Sequence, residues 1–272
     1  PTTDLFMVDP DPLDPDKAKD KMSRTSSDVR VWSFDDSTTP TSTRCGKTAC
    51  VRAENSSQFQ TPSSVQANAE TIVIEQGDIC PGSSSFECHM YVEHMNLSNT
   101  KILIETGGTN SPRPVVIHLE LPRQNSTRIT DISGNITLSE NSTFCGVNTG
   151  STACNAKPER FVISAAAGTD NLSCDESNHV LDFHGNSLPH AIVHLPKGTV
   201  RPTANATLHG VIWAQNICTD SVDFTLETSA FNEPVVQKAY TLWKWGERGF
   251  PGYGQMVVRG IRGKGLDTFR RW

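Results

Sequence analysis

No apolar run in this chain approaches the ~20 residues that a membrane-spanning helix needs. No window of helical length repeats its apolar residues every 3.6 positions between capping signals. The catalytic signatures Gly-x-Ser-x-Gly, His-Glu-x-x-His, the P-loop, and Gly-x-Gly-x-x-Gly opening a helix are missing too. These gaps predict a chain that is neither helical nor an enzyme and that carries no cofactor. Net positive charge is also lacking. With 24 Lys and Arg against 30 Asp and Glu, the formal charge is −6, which gives no overall reason to expect a nucleic-acid partner. The chain opens on Pro1 without an initiator Met or an apolar leader, so any leader or anchor is expected upstream of this sequence.

Cysteine is what the chain does have. Eight cysteines fall largely in close sequential pairs: Cys45 and Cys50, Cys80 and Cys88, Cys145 and Cys154, then Cys174 and the more distant Cys218. None has the Cys-x-x-Cys spacing of zinc or thioredoxin-like chemistry. An even count without that spacing predicts disulfides made in an oxidising compartment, and so an extracellular or cell-surface protein. Pairing of sequential neighbours is the simplest of the 105 arrangements that eight cysteines allow. Seven Asn-x-Ser/Thr triplets begin at Asn55, Asn96, Asn125, Asn135, Asn141, Asn171 and Asn205. That is about twice the chance expectation, and it fits either glycosylated loops or simply a polar surface.

The chain divides into three parts. Residues 1–43 mix acids and prolines, then run into Ser, Thr and Pro, and have no core-forming pattern; they read as an arm or linker. One short helix over Asp14–Ser26 is conceivable there. Residues 44–230 carry short β-type runs broken by Gly, Asn, Pro and Ser. The clearest are 71–75, 87–94, 101–105, 115–121, 128–132, 135–139, 161–164, 180–183, 191–195, 206–214 and 221–228. Within them Val115, Ile117, Leu119 and Leu121 share one face, as do Val222, Phe224 and Leu226. Residues 231–272 form a basic tail rich in Gly and aromatic residues.

The predicted class is therefore all-β. Many short strands suit a parallel β-helix or a β-sandwich. The stretch from His179 to Ile217, with short runs punctuated by Gly-Asn and Pro-Lys-Gly, favours the parallel solenoid.

The segments Lys101-Ile-Leu-Ile-Glu, Val115-Val-Ile-His-Leu, Ile132-Ser-Gly-Asn-Ile-Thr-Leu, Ala191-Ile-Val-His-Leu-Pro-Lys-Gly-Thr-Val and Leu208-His-Gly-Val-Ile-Trp-Ala-Gln-Asn-Ile carry a resemblance. About half of the chain is similar in texture to the C-terminal domain of type IV pilus-associated, pilin-like bacterial surface proteins. The ending Val257-Val-Arg-Gly-Ile-Arg-Gly-Lys-Gly resembles the tails of cyanobacterial members. The resemblance implies a surface subunit that polymerises. The apolar N-terminal helix that anchors pilins is absent from this sequence.

Three groups of residues are candidates for chemistry or recognition. His179, His184, His190, His194 and His209 lie in one presumed coil stretch, with His89 and His94 elsewhere; stacked turns bring imidazoles together, although packing or surface roles are the simpler expectation. Asp170, Asp175, Glu176 and Asp182 are the acids a polysaccharide-cleaving β-helix would draw on, but their spacing is that of ordinary turns. The last 29 residues are the sharpest feature. Lys244, Arg248, Arg259, Arg262, Lys264, Arg270 and Arg271 outnumber Glu247 and Asp267, leaving that segment at +5 and the rest at −11. Trp243, Trp245, Phe250, Tyr253, Phe269 and Trp272 are interleaved with them. Such a tail caps the last strand, docks on an acidic neighbour, or binds a polyanion, which the −11 body would repel. The expectation is a filament-forming or adhesive subunit whose partner is itself, with surface glycans as a further partner. The alternative is a carbohydrate-binding or carbohydrate-cleaving β-helix.

Overall fold

The computed structural model describes residues 30–36, 48–53, 56, 58–62, 65, 69–80, 87–119, 134–165, 173–174, 179–219, 223–227 and 234–235. Its strands in chain order are β1 (Arg30–Asp35), β2 (Thr48–Ala53), β3 (Thr71–Ile74), β4 (Cys88–Leu97), β5 (Lys101–Glu105), β6 (Val115–His118), β7 (Asn135–Leu138), β8 (Thr143–Val147), β9 (Phe161–Ser164), β10 (Val180–His184), β11 (His190–Thr203), β12 (Thr207–Ile217) and β13 (Thr225–Glu227). One helical turn, α1 (Gln76–Ile79), and the 3-10 turn Pro158–Arg160 interrupt them. The class is all-β.

Ten strands form one sheet, and β3, β5 and β8 form a second. Every pairing of these strands is parallel except β1 with β2. Parallel partners need long connections, so neighbours in space are far apart in sequence. Because side chains alternate across a strand, parallel register puts like against like in columns ~4.8 Å apart. Met90, Ile117, Ile163, Val193 and Ile212 make one such inward column. Met95, Ile136, Leu181, Val200 and Ile217 make another, and Ile72, Ile102 and Phe144 a third. All but the last members of the first two columns are essentially fully buried, in one continuous core. At ~1.5–3 kcal/mol for each buried Val, Leu or Ile side chain, these columns are the main stabilising element.

Several expectations need correction. Residues 30–35, read as part of a coreless arm, form β1, where Trp32 and Phe34 are fully buried and stacked 5.9 Å apart. A Val-Trp-Ser-Phe alternation was short enough to be hidden by its polar surroundings. β8 was not expected at all, since Thr-Phe-Cys-Gly-Val carries a glycine and a cysteine. Pro196-Lys-Gly is not a turn between strands. β11 continues through it, with its register to β12 shifting between Leu195 and Thr199 as the strand bends. The expected strand 128–132, the helix over 14–26, and residues 1–29 lie outside the described residues.

Three disulfides brace the strands: Cys80–Cys88, Cys145–Cys154 and Cys174–Cys218, with Cα–Cα distances of 5.6, 5.7 and 6.1 Å. Cys50 is also disulfide-bonded, and Cys45 lies outside the described residues. The bridges place folding in an oxidising environment. Cys174–Cys218 closes the longest loop, 44 residues, and on chain-entropy grounds contributes about 4 kcal/mol.

Near the first strand, the Asp36 carboxylate accepts from the backbone amides of Ser98 (2.8 Å) and Asn99 (2.6 Å) and from Ser98 Oγ (2.9 Å). Partial burial pushes its pKa up, but the amide and hydroxyl bonds outweigh burial and hold it below the usual carboxylate value. Gly210 tests how tightly the ladders approach. Its φ is +153°, and a Cβ there would lie 1.8 Å from the Ala191 carbonyl oxygen. Gly210→Ala is expected to cost about 1–3 kcal/mol, seen as a lower urea midpoint at unchanged slope. Gly77→Ala, with nothing within 4 Å, should leave the midpoint unchanged or raise it.

Candidate functional site

The outward side of β4, β6, β9, β11 and β12 carries most of the chemistry-bearing side chains. Parallel register builds two adjacent columns there. One is His89, Val116, Val162, Ile192 and Val211; the other is Tyr91, His118, Ser164, His194 and Trp213. A third, shorter column at the strand starts joins His190, His209 and Glu227.

Contacts run along these columns and between them. His89 Nδ1 and His118 Nε2 are 2.9 Å apart, one donating and the other accepting. Both rings cannot be protonated at once without breaking that bond. Tyr91 stacks on His118 at 5.1 Å. His194 Nδ1 lies 3.3 Å from Ser164 Oγ, and its ring meets Trp213 edge-on at 5.8 Å. His190 and His209 have ring centroids 4.8 Å apart, and His209 Nδ1 lies 3.1 Å from Glu227 Oε2. Although they point outward, His118 and His194 are only 4% and 3% exposed. The apolar members are buried as well: Val116, Val162 and Ile192 pack beneath Val235, which is itself fully buried, with Val211 alongside.

Burial has an electrostatic consequence. It drives the His194 pKa down to about 4, because the imidazolium would lose its hydration. Burial also lowers His190, and the neighbouring His209 adds to the effect; His190 Nδ1 is buried without a hydrogen-bond partner.

The other histidines stand apart from this face. His94 Nε2 is 3.5 Å from Asp35 Oδ2, and His179 Nδ1 donates to the Gly134 carbonyl at 3.1 Å. His184 lies half-buried at the end of β10. Among the described residues no group of three or more His, Cys, Asp or Glu converges on a cation site. Asp182 pairs with Arg201 at 3.8 Å, and Asp170, Asp175 and Glu176 lie outside the described residues. So do Trp243, Trp245, Arg248, Phe250, Tyr253, Arg259, Arg262, Lys264, Phe269, Arg270, Arg271 and Trp272 of the basic tail. His118 went unnoticed in the sequence, where it sits inside an apolar strand. The signal was its parity: it alternates with Val115, Ile117 and Leu119, which face inward.

The chain matches no protein-family model, no curated protein and no solved structure. No helix among the described residues is long and apolar enough to cross a membrane.

Because the folded pKa of His194 lies below its ordinary 6.5, its contribution is intact above pH ~6.5 and is lost as pH falls towards about 4. At ~1.4 kcal/mol per pH unit, about 3 kcal/mol of stability disappears over that window. Urea midpoints measured from pH 7 to pH 4 should fall accordingly. His194→Gln should flatten the fall; an unchanged slope in that variant would refute the assignment.

Proposed function

We propose that this chain is an extracellular structural subunit of a filament-forming, pilin-like kind, whose body is a three-sided parallel β-helix. The carrying observation is the set of parallel ladders enclosing one continuous apolar core, in which each strand meets its partner one circuit later. A strand path 94–97, 101–105, 115–118, 135–138, 143–147 visits the three ladders in a fixed cyclic order, as a coil does. Such a coil transmits load along its axis through backbone hydrogen bonds, and disulfides across its turns resist fraying and proteolysis.

Assembly in this reading uses the termini. The acidic residues 1–29 before β1 of one copy attract the basic, aromatic end of the next, and a contact of two different surfaces that does not close on itself gives an open filament. One observation favours a second reading, carbohydrate binding on the outer face: Trp213 is 39% exposed beside His194, a side chain suited to stacking on a sugar ring. Retention on a polysaccharide column that Trp213→Ala abolishes would select that reading.

The structural reading is tested by negative-stain microscopy at low and high salt. Filaments are expected at low ionic strength and should shorten or vanish above about 0.3 M salt, where charges are screened within ~6 Å. Replacing Arg259, Arg262, Lys264, Arg270 and Arg271 together with Gln should give monomers at every salt concentration. Filaments from that variant, or monomers from the native chain at low salt, would sink the proposal.

A further inference from the structure

The chain has eight histidines, all among the described residues, and their surroundings sort them. His89 and His118 each turn a ring nitrogen on the other, at 2.9 Å. His194 is engaged with Ser164, His179 with the Gly134 carbonyl and His94 with Asp35. His184 has Thr203, not another histidine, beside it in register. His190 and His209 differ from all of these. They are register partners at the starts of β11 and β12, with ring centroids 4.8 Å apart and planes tilted by 33°. His190 Nδ1 is buried with no hydrogen-bond partner. His209 Nδ1 lies 3.1 Å from Oε2 of Glu227, its register partner on β13.

We propose that His190 and His209 together bind one late first-row divalent metal ion, zinc or copper(II), with Glu227 holding the His209 ring in place and water filling the remaining positions. Imidazole nitrogens select such ions over calcium and magnesium, which take oxygen ligands. Metal–nitrogen bonds of ~2.0–2.1 Å bring two ligating nitrogens to within about 3 Å of each other. Rings whose centroids are already 4.8 Å apart reach that geometry by side-chain rotation, without any shift of the ladder. Glu227 supplies what a ligating imidazole ordinarily has behind it. A carboxylate that accepts from Nδ1–H fixes the tautomer, leaves the lone pair on Nε2 and raises its basicity. His190 is kept neutral, since burial first and the neighbouring His209 second hold its pKa below the ordinary 6.5. A neutral ring keeps the lone pair that a metal needs. Coordination at His190 Nδ1 also ends the cost of leaving a buried polar atom unsatisfied. Because the two ligands come from neighbouring strands, the ion would clasp β11 to β12. The inference stands on the pairing of β11, β12 and β13 and is independent of whether copies associate.

Isothermal titration of the full, oxidised chain with zinc chloride at neutral pH tests the site. One strong equivalent is expected. Its affinity should fall at least about tenfold in His190→Gln and in His209→Gln, while His184→Gln leaves it unchanged. Glu227→Ala should weaken binding about tenfold, and Glu227→Gln, which keeps an acceptor for Nδ1–H, should retain most of it. Zinc at about a hundredfold excess over its dissociation constant should raise the melting temperature of the native chain by about 5 °C or more. A chelator should reverse that rise, and His190→Gln should not show it. A readout that needs no variant is the electron paramagnetic resonance spectrum with one equivalent of copper(II), which should carry hyperfine splitting from two imidazole nitrogens. Three results would overturn the proposal: no zinc binding by the native chain, equally tight binding by the double variant His190→Gln with His209→Gln, or a copper spectrum with fewer than two imidazole nitrogens.

Discussion

Parallel register is the constraint on which the rest of this structure depends. Once Met90 lies over Ile117 and Ile117 over Ile163, side-chain alternation fixes the direction of every other residue on those strands. Slipping one strand by one residue would turn Ile117 and Val115 out and drive His118 and Val116 into the core. The cost would be several buried apolar side chains at once, plus a buried imidazole without a partner. The ladder hydrogen bonds could re-form in the slipped register, so they do not choose between the two; the apolar columns do. The disulfides act on an alignment already chosen, tying β4 to the helical turn before it, β8 to the loop after it, and the end of β12 back to Cys174.

The same constraint explains what a reader of the sequence can and cannot see. The strands around Lys101, Val115, Asn135, Phe161 and Val180 are legible because their alternation or continuous apolarity survives inspection of a few residues. Their pairing is not legible. The column Met90, Ile117, Ile163, Val193, Ile212 recurs at no fixed interval, since the connections between paired strands differ in length, so no repeat period emerges. β1 was lost because its apolar residues number only three among Ser and Asp, and their burial depends on β4, far along the chain. β11 was cut short because Pro and Gly ordinarily end strands. At this corner the chain bends and keeps its ladder, with Gly198 admitting the His179 carbonyl where a Cβ would stand 2.7 Å away.

The outer face follows the same logic with different chemistry. A column faces outward whatever its residues are, so Val116, Val162 and Ile192 create an apolar stripe on the outside that must then be covered, and Val235 lies on it. His194 in the neighbouring column is buried as well and becomes a poor base. Imidazole is a fitting residue for such a place. Neutral, it satisfies Ser164 or a second imidazole by one hydrogen bond and stacks on Tyr91 or Trp213. Charged, a buried imidazole such as His194 loses its hydration. The histidine-rich face therefore reads as a packing surface that is stable at neutral pH and weakened by acid at His194.

The antiparallel β2 along β1 at the first end of the strand stack has a further consequence for how copies can meet. If both ends were open, apolar core would stack on apolar core, and the hydrophobic effect would drive indefinite growth that salt cannot reverse. With β2 already closing the first end, that route is blocked whatever happens at the other. A second copy approaching head to tail finds an antiparallel strand on β1, with Trp32 and Phe34 buried beneath it. Under the filament proposal, contacts between copies fall to the charged stretches of the sequence, acidic over residues 1–29 and basic after residue 243. Contacts of that kind are weak singly, sensitive to ionic strength and reversible.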